Sequence, residues 1–214
     1  MRHLFFLFFL ANLISCVKNQ DDIQEVTNTP SSEISEPVDS LLKQELEWIS
    51  AEDQTLRLLL PDALEKFGAG TNEYKYLWTL INRQDSICVE KVIDIVEEHG
   101  WLGKSRVGDK ANQAIWLVIQ HAKLEAQEKY LTLLKASVEQ GESEGWHLAF
   151  LKDRILMYKD QKQIYGTQSV WDNTIKKNRI HPIENVEQVN ERRASLGLAH
   201  IEEYAEANGY IFEQ

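Results

Sequence analysis

The distribution of apolar and polar positions describes a chain of helices. From residue 41 to residue 60, Leu42, Leu46, Ile49, Asp53, Leu56 and Leu60 recur at alternating spacings of four and three. That is one continuous inner stripe of a helix, with Pro61 marking its expected end. A shorter helix is expected over 74–82. Asp85 or Ser86 then caps a helix running to Glu98, stopped by Gly100. Residues 100–108 (GWLGKSRVG) read as a loop, because glycines at 100, 103 and 108 suit sharp turns or close backbone approach. Asp109 opens a helix to Ala122, a further helix spans 125–140 and ends at Gly141, and Ser143 opens one to about Tyr158. The pattern then changes. Residues 161–174 mix β-branched, aromatic and turn residues and predict a short hairpin or ordered loop. Two short helices over 186–196 and 200–208, stopped by Gly197 and Gly209, close the chain. The expected fold is mainly α, a single globular helical domain over 41–214.

Three of the apolar stripes are broken by polar residues. Asp53 occupies a core position in the first helix, with Arg57 one turn later on the edge of the same face. Ala114, Leu117, Val118, His121 and Leu124 share a face, so His121 points inward, with Gln113 and Gln120 beside it. Trp146, Ala149, Phe150, Asp153 and Met157 form a stripe interrupted by Asp153, next to Arg154. An unpaired buried carboxylate is costly, so Asp53 and Asp153 require donors. Arg57, Arg154 and His121 are the obvious ones, and one polar pocket where the three helices meet would satisfy all five. The plainer alternative is a structural ion-pair network that fixes how the helices pack.

The N-terminus points to an export address. Arg2 and His3 precede an apolar run over 4–14, too short to span a membrane, and Leu13-Ile14-Ser15-Cys16 matches a lipobox. Residues 1–15 are expected to be a lipoprotein signal peptide. Ser15 is the small residue before the cut, and the Cys16 thiol receives the lipid. Two or three acyl chains then anchor the protein stably to a bacterial membrane, facing the periplasm or the surface. Residues 16–40 are polar, acidic and rich in Ser, Thr and Pro, the composition of a disordered tether.

With Cys16 lipidated, Cys88 is the only remaining thiol, and its neighbours Ile87, Val89, Val92 and Ile93 mark it as a buried small hydrophobe. The formal charge of −11 becomes −12 when Arg2 leaves with the signal. That balance argues against nucleic acid and against flat adhesion to anionic lipid.

The chain resembles an uncharacterised bacterial family, domain of unknown function sixty-six twenty-four. The resemblance rests on Asp53-Gln54-x-x-Arg57, the loop from Gly100-Trp101 to Gly108, and the run Trp116 to Ala122. It continues through Leu151-Lys152-Asp153-Arg154, Gln163-Ile164-Tyr165-Gly166-Thr167-Gln168 and Arg192-Arg193-x-x-x-Gly197-Leu198. The Gln-x-Tyr-Gly-Thr-Gln segment is its most specific element. One departure is Leu102, where family members often carry Pro. The resemblance implies membership and no activity, but its motifs include the stripe-breaking residues. Gln163, Tyr165, Thr167 and Gln168 offer a strip rich in donors and acceptors, or a tight turn whose side chains cap helix ends.

Three functional readings follow. In the first, the protein is an extracytoplasmic hydrolase or lyase, with His121 as general base or acid and Asp53 or Asp153 orienting its imidazole. Arg57 or Arg154 would hold an anionic group, while Gln120, Gln163, Tyr165, Thr167 and Gln168 would line the site. Weighing against it, there is no His-Glu-x-x-His, P-loop or dinucleotide fingerprint. In the second, the same pocket binds a small ligand or an envelope partner without catalysis. A third reading places a partner surface on the loops at Trp101 and Trp171. No cofactor is expected, and His99, His147, His181 and His200 show no metal-ligand spacing.

Overall fold

The computed structural model describes residues 39–213. The expected signal peptide, Cys16 and all but the end of the expected tether lie outside the described residues. Within them the chain is mainly helical, with one two-stranded sheet. No helix among these residues is long and apolar enough to cross a membrane.

The first helix, α1 (Ser40–Thr55), is capped by Asp39, whose carboxylate accepts from the Leu42 amide at 3.2 Å. It ends earlier than the stripe predicts. A single 3-10 turn (Arg57–Leu59) leads into α2 (Leu60–Phe67), with Pro61 in its first turn. Pro61 therefore begins a helix and does not end one, because a first-turn residue has no intrahelical partner for the N–H that proline lacks. Leu56 and Leu60 leave the main core here and join a small satellite cluster with Tyr74 and Ile81.

A second difference is α3 (Asn72–His99), capped by the Thr71 side chain and continuous over 28 residues where two helices were expected. Asn82 to Ser86 is polar but holds neither glycine nor proline. Tyr74, Ile81, Cys88, Val92 and Ile95 stay buried along its whole length, so tertiary packing carries the helix through.

The glycine-rich loop contains a short helix, α4 (Lys104–Val107), and is pinned across the fold. Lys104 donates its amide to the Glu142 carbonyl at 2.9 Å, and Trp101 Nε1 donates to Ser143 Oγ at 3.2 Å. Helix α5 (Asp109–His121) runs through the centre, buried from Ala111 to Gln120 apart from Gln113, as expected of a helix apolar around most of its girth. α1, α3, α6 (Leu124–Glu139) and α7 (Gly145–Tyr158) pack around it.

After α7 the chain forms an ordered segment over 163–168, then a hairpin of β1 (Ser169–Asp172) and β2 (Lys177–Ile180). The pair is antiparallel, with Ser169 opposite Ile180. A 3-10 turn (Val186–Gln188), α8 (Val189–Ala194) and α9 (Ile201–Asn208) complete the domain.

Candidate functional site

Packing of α1 against α5 brings two stripe-breaking residues face to face. Asp53, fully buried, meets Nδ1 of His121 with both carboxylate oxygens, at 3.0 and 3.2 Å. Gln54 Nε2 donates to Asp53 Oδ2 at 2.6 Å. Arg57 Nη1 donates to the Asp53 backbone carbonyl at 2.8 Å and lies 3.5 Å from its carboxylate. From α3, Asp85 takes the same guanidinium in a two-pronged pair at 2.7 and 2.8 Å. Asp53 forms the floor of this arrangement. His121, Arg57 and Asp85 reach the surface along its edge, with side-chain exposures of 7, 12 and 14%.

Burial pushes the His121 imidazole below its ordinary pKa, outweighing the upward pull of Asp53, and the positive charges of Arg57 and Arg154 act in the same direction. Burial alone would raise the pKa of Asp53. The hydrogen bond from His121 and the charge of Arg57 overcome it, and the carboxyl sits below its ordinary value. At neutral pH the pair is therefore a carboxylate facing a neutral imidazole. The Nδ1 proton is directed at Asp53, which leaves the Nε2 lone pair as the basic position.

Asp153 does something different. Its carboxylate accepts from the amides of Ile164 (2.7 Å), Tyr165 (3.1 Å) and Thr167 (3.0 Å), and from the Thr167 hydroxyl (3.0 Å). It thus holds the segment after α7 in place, although burial still raises its pKa against those four bonds. Gln163 closes the same segment from within: Nε2 donates to the carbonyls of Gln168 and His181, and Oε1 accepts from the Gln168 amide. Gly166 sits at φ +73°, where a Cβ would approach both Ile183 and Ile201 to 2.7 Å. Arg193 donates to the Tyr165 carbonyl at 2.7 Å, and the Tyr204 hydroxyl donates to that of Thr167 at 3.0 Å.

The residue before His121 and the second network share an acceptor. The Phe150 carbonyl accepts from Gln120 Nε2 at 3.2 Å and from Gln168 Nε2 at 3.4 Å. Of the residues expected to share one pocket, Asp53, Arg57 and His121 come together. Arg154 is buried, and its charge is felt at His121. Asp153, Gln163, Thr167 and Gln168 form the neighbouring buried network, with Tyr165 half-buried at its edge.

With this geometry in hand, a family model described as "Family of unknown function (DUF6624)" matches residues 40–210. The chain belongs to this family. No curated protein and no solved structure matches the chain. For this DUF6624 domain, the structure gives the Gln-x-Tyr-Gly-Thr-Gln segment a physical sense. It is a self-closed loop whose amides are collected by Asp153 and whose ends are tied by Gln163.

Sequence reasoning missed Asp85, which it took as a helix cap. The signal was available: Ile81, Asp85, Cys88 and Val92 follow each other at spacings of four, three and four, so Asp85 breaks an apolar stripe just as Asp53 does. It also missed Arg193 and Tyr204 as supports of the 163–168 loop.

One oxygen or nitrogen each from Asp53, Asp85 and His121 lie within 4.8 Å of one another, a spacing that resembles a three-ligand cation site. The Arg57 guanidinium already lies against both carboxylates and offsets part of their charge. A metal ion would have to displace it.

Proposed function

We propose that this DUF6624 domain is an extracytoplasmic hydrolase or lyase, anchored to a bacterial membrane through lipidated Cys16, in which His121 acts as the general base. The observation that carries the reading is the buried Asp53 carboxylate gripping Nδ1 of His121 with both oxygens. A neutral imidazole fixed in one tautomer by a carboxylate is the arrangement of a general base with its orienting group. Arg57 is already offset by Asp53 and Asp85, so the buried positive charge of Arg154, which also acts on the imidazole, is the one that suits a developing negative charge. The edge formed by His121, Arg57 and Asp85 supplies the approach.

The test is turnover by the full mature chain against a panel of phosphate, sulfate and carboxylate esters and of β-eliminable acids. The reading expects a hydrolysed or eliminated substrate, with activity falling at least about hundredfold in His121→Gln while the fold is kept. Activity unchanged in His121→Gln contradicts it.

A second reading, binding of a small ligand or an envelope partner without catalysis, is favoured by the low exposure of His121 and by the number of bonds already made to Asp53. Saturable binding without turnover, weakened in Arg57→Ala, would support it.

A further inference from the structure

The opposite end of α5 holds a second polar site, about 18 Å along the helix from His121 at 1.5 Å per residue. His147, in the first turn of α7, is 1% exposed. Its ring stacks on Trp116 at 4.7 Å and meets Trp146 edge-on at 4.1 Å. Neither ring nitrogen has a hydrogen-bond partner among the described residues. One of the two must carry a proton and the other a lone pair, so a donor and an acceptor are left together in the interior. A buried donor or acceptor that nothing meets is costly to keep.

What lies beside His147 is a cavity of about 250 Å³, lined by Asp109, Asn112, Gln113, Glu144, Trp146 and His147. The first turns of two helices, α5 and α7, form its walls, and neither is capped by a side chain. Uncapped first turns offer N–H donors to a ligand. Asn112 is fixed by donating to the Leu102 carbonyl and to Ser143 Oγ at 2.8 and 2.9 Å, which makes that side of the cavity rigid.

Charge decides which ligand chemistry fits. Helix N-termini alone would favour an anion, but Asp109 and Glu144 stand on the same wall, and Lys104 balances only Glu144, at 2.9 Å. A cation would meet donor N–H groups. A ligand carrying many hydroxyls satisfies every wall, since each hydroxyl both donates and accepts. Its donors meet the carboxylates and its acceptors meet the amides, while the unpartnered imidazole of His147 borders the same space. The indole of Trp146 supplies an apolar surface for the ring itself. Pockets for larger ligands begin at roughly 300 Å³, so the volume admits one ring and not a chain.

We propose that the cavity between the first turns of α5 and α7 binds a single neutral sugar ring, with His147 as its buried hydrogen-bonding anchor. The sugar is either free or the terminal unit of a glycan.

The test is titration of the full mature chain with glucose, N-acetylglucosamine, their short oligomers and sulfate, followed by the NMR signals of the His147 imidazole and the Trp146 indole. The expected result is a saturable shift of both signals by a sugar and none by sulfate. Gln113→Ala should weaken binding about tenfold. His147→Phe, which keeps the ring stacked on Trp116, should abolish binding without lowering the melting temperature. Monosaccharide and oligomer binding equally identifies a terminal sugar, and monosaccharide binding alone identifies the free ligand. A response to sulfate in place of sugar, the absence of any response, or sugar binding unaltered by Gln113→Ala and His147→Phe overturns the proposal.

Discussion

Nδ1 of His121, at the last residue of α5, lies 3.0 Å from the buried carboxylate of Asp53 on α1. The contact joins two helices that form much of the core, and it decides which nitrogen of the imidazole carries the proton. Together with the hydrogen bond from His121, the charge of Arg57 helps keep Asp53 a carboxylate in that position.

Removing Arg57 tests the last point. Arg57→Ala leaves two acidic residues facing each other with their shared cation gone, and should cost about 3–5 kcal/mol of stability in denaturant unfolding. Asp85→Asn should cost less, because Asp53 keeps its cation. A double-mutant cycle between positions 57 and 85 should return a coupling of about 0.5–3 kcal/mol. A coupling of zero would show that the two-pronged pair contributes nothing.

The loop over 163–168 gives a second prediction. Asp153→Ala removes the acceptor for three amides and one hydroxyl, and should lower stability by about 3 kcal/mol or more, with proteolytic cleavage appearing first near Gly166. Gly166→Ala should also destabilise, by about 1–3 kcal/mol, because the backbone is left-handed there and the added methyl meets Ile183 and Ile201. Pro61→Ala, in the first turn of α2, should change stability by less than about 1 kcal/mol.

These contrasts show what was legible in the sequence. Periodicity identified Asp53, His121 and Asp153 as inward-facing polar residues, and all three sit where apolar side chains would be expected. It could not say which stripes touch. Asp53 and His121 meet because α1 packs on α5, while Asp153 turns to the backbone of its own downstream loop. That loop has no periodic pattern, so its hydrogen bonds could not be anticipated. Asp85 was hidden by a rule that reads Asp before an apolar run as a cap, although α3 continues through it. Pro61 reads as a stop for a related reason, although proline is equally at home in the first turn of a helix.

The pH dependence of stability follows from His147, whose pKa burial pushes down to about 3. As pH falls below about 6.5, the unfolded chain takes up a proton at this position and the folded chain does not. Stability is therefore full above about 6.5 and declines as pH drops towards 3, by up to about 1.4 kcal/mol per pH unit. His121, also shifted down by burial, contributes with the same sign. His147→Phe should flatten the acid limb of the melting-temperature profile between pH 6.5 and 4. An unchanged limb would mean that His147 is protonated in the folded protein.

The address at Cys16 is tested separately. Metabolic labelling with palmitate should mark the wild-type chain, and Cys16→Ala should abolish the label and release the protein from the membrane fraction. Labelling that persists in Cys16→Ala would place the lipid elsewhere, and an unlabelled wild type would remove the anchor.

The most direct test of the central claim is an NMR titration of the His121 ring nitrogens. The account predicts a neutral imidazole protonated on Nδ1, titrating below its ordinary value of about 6.5. Asp53→Asn should lower that pKa further, because it removes the group that pulls it upward. A proton on Nε2, a pKa above 6.5, or a titration indifferent to Asp53→Asn would contradict it.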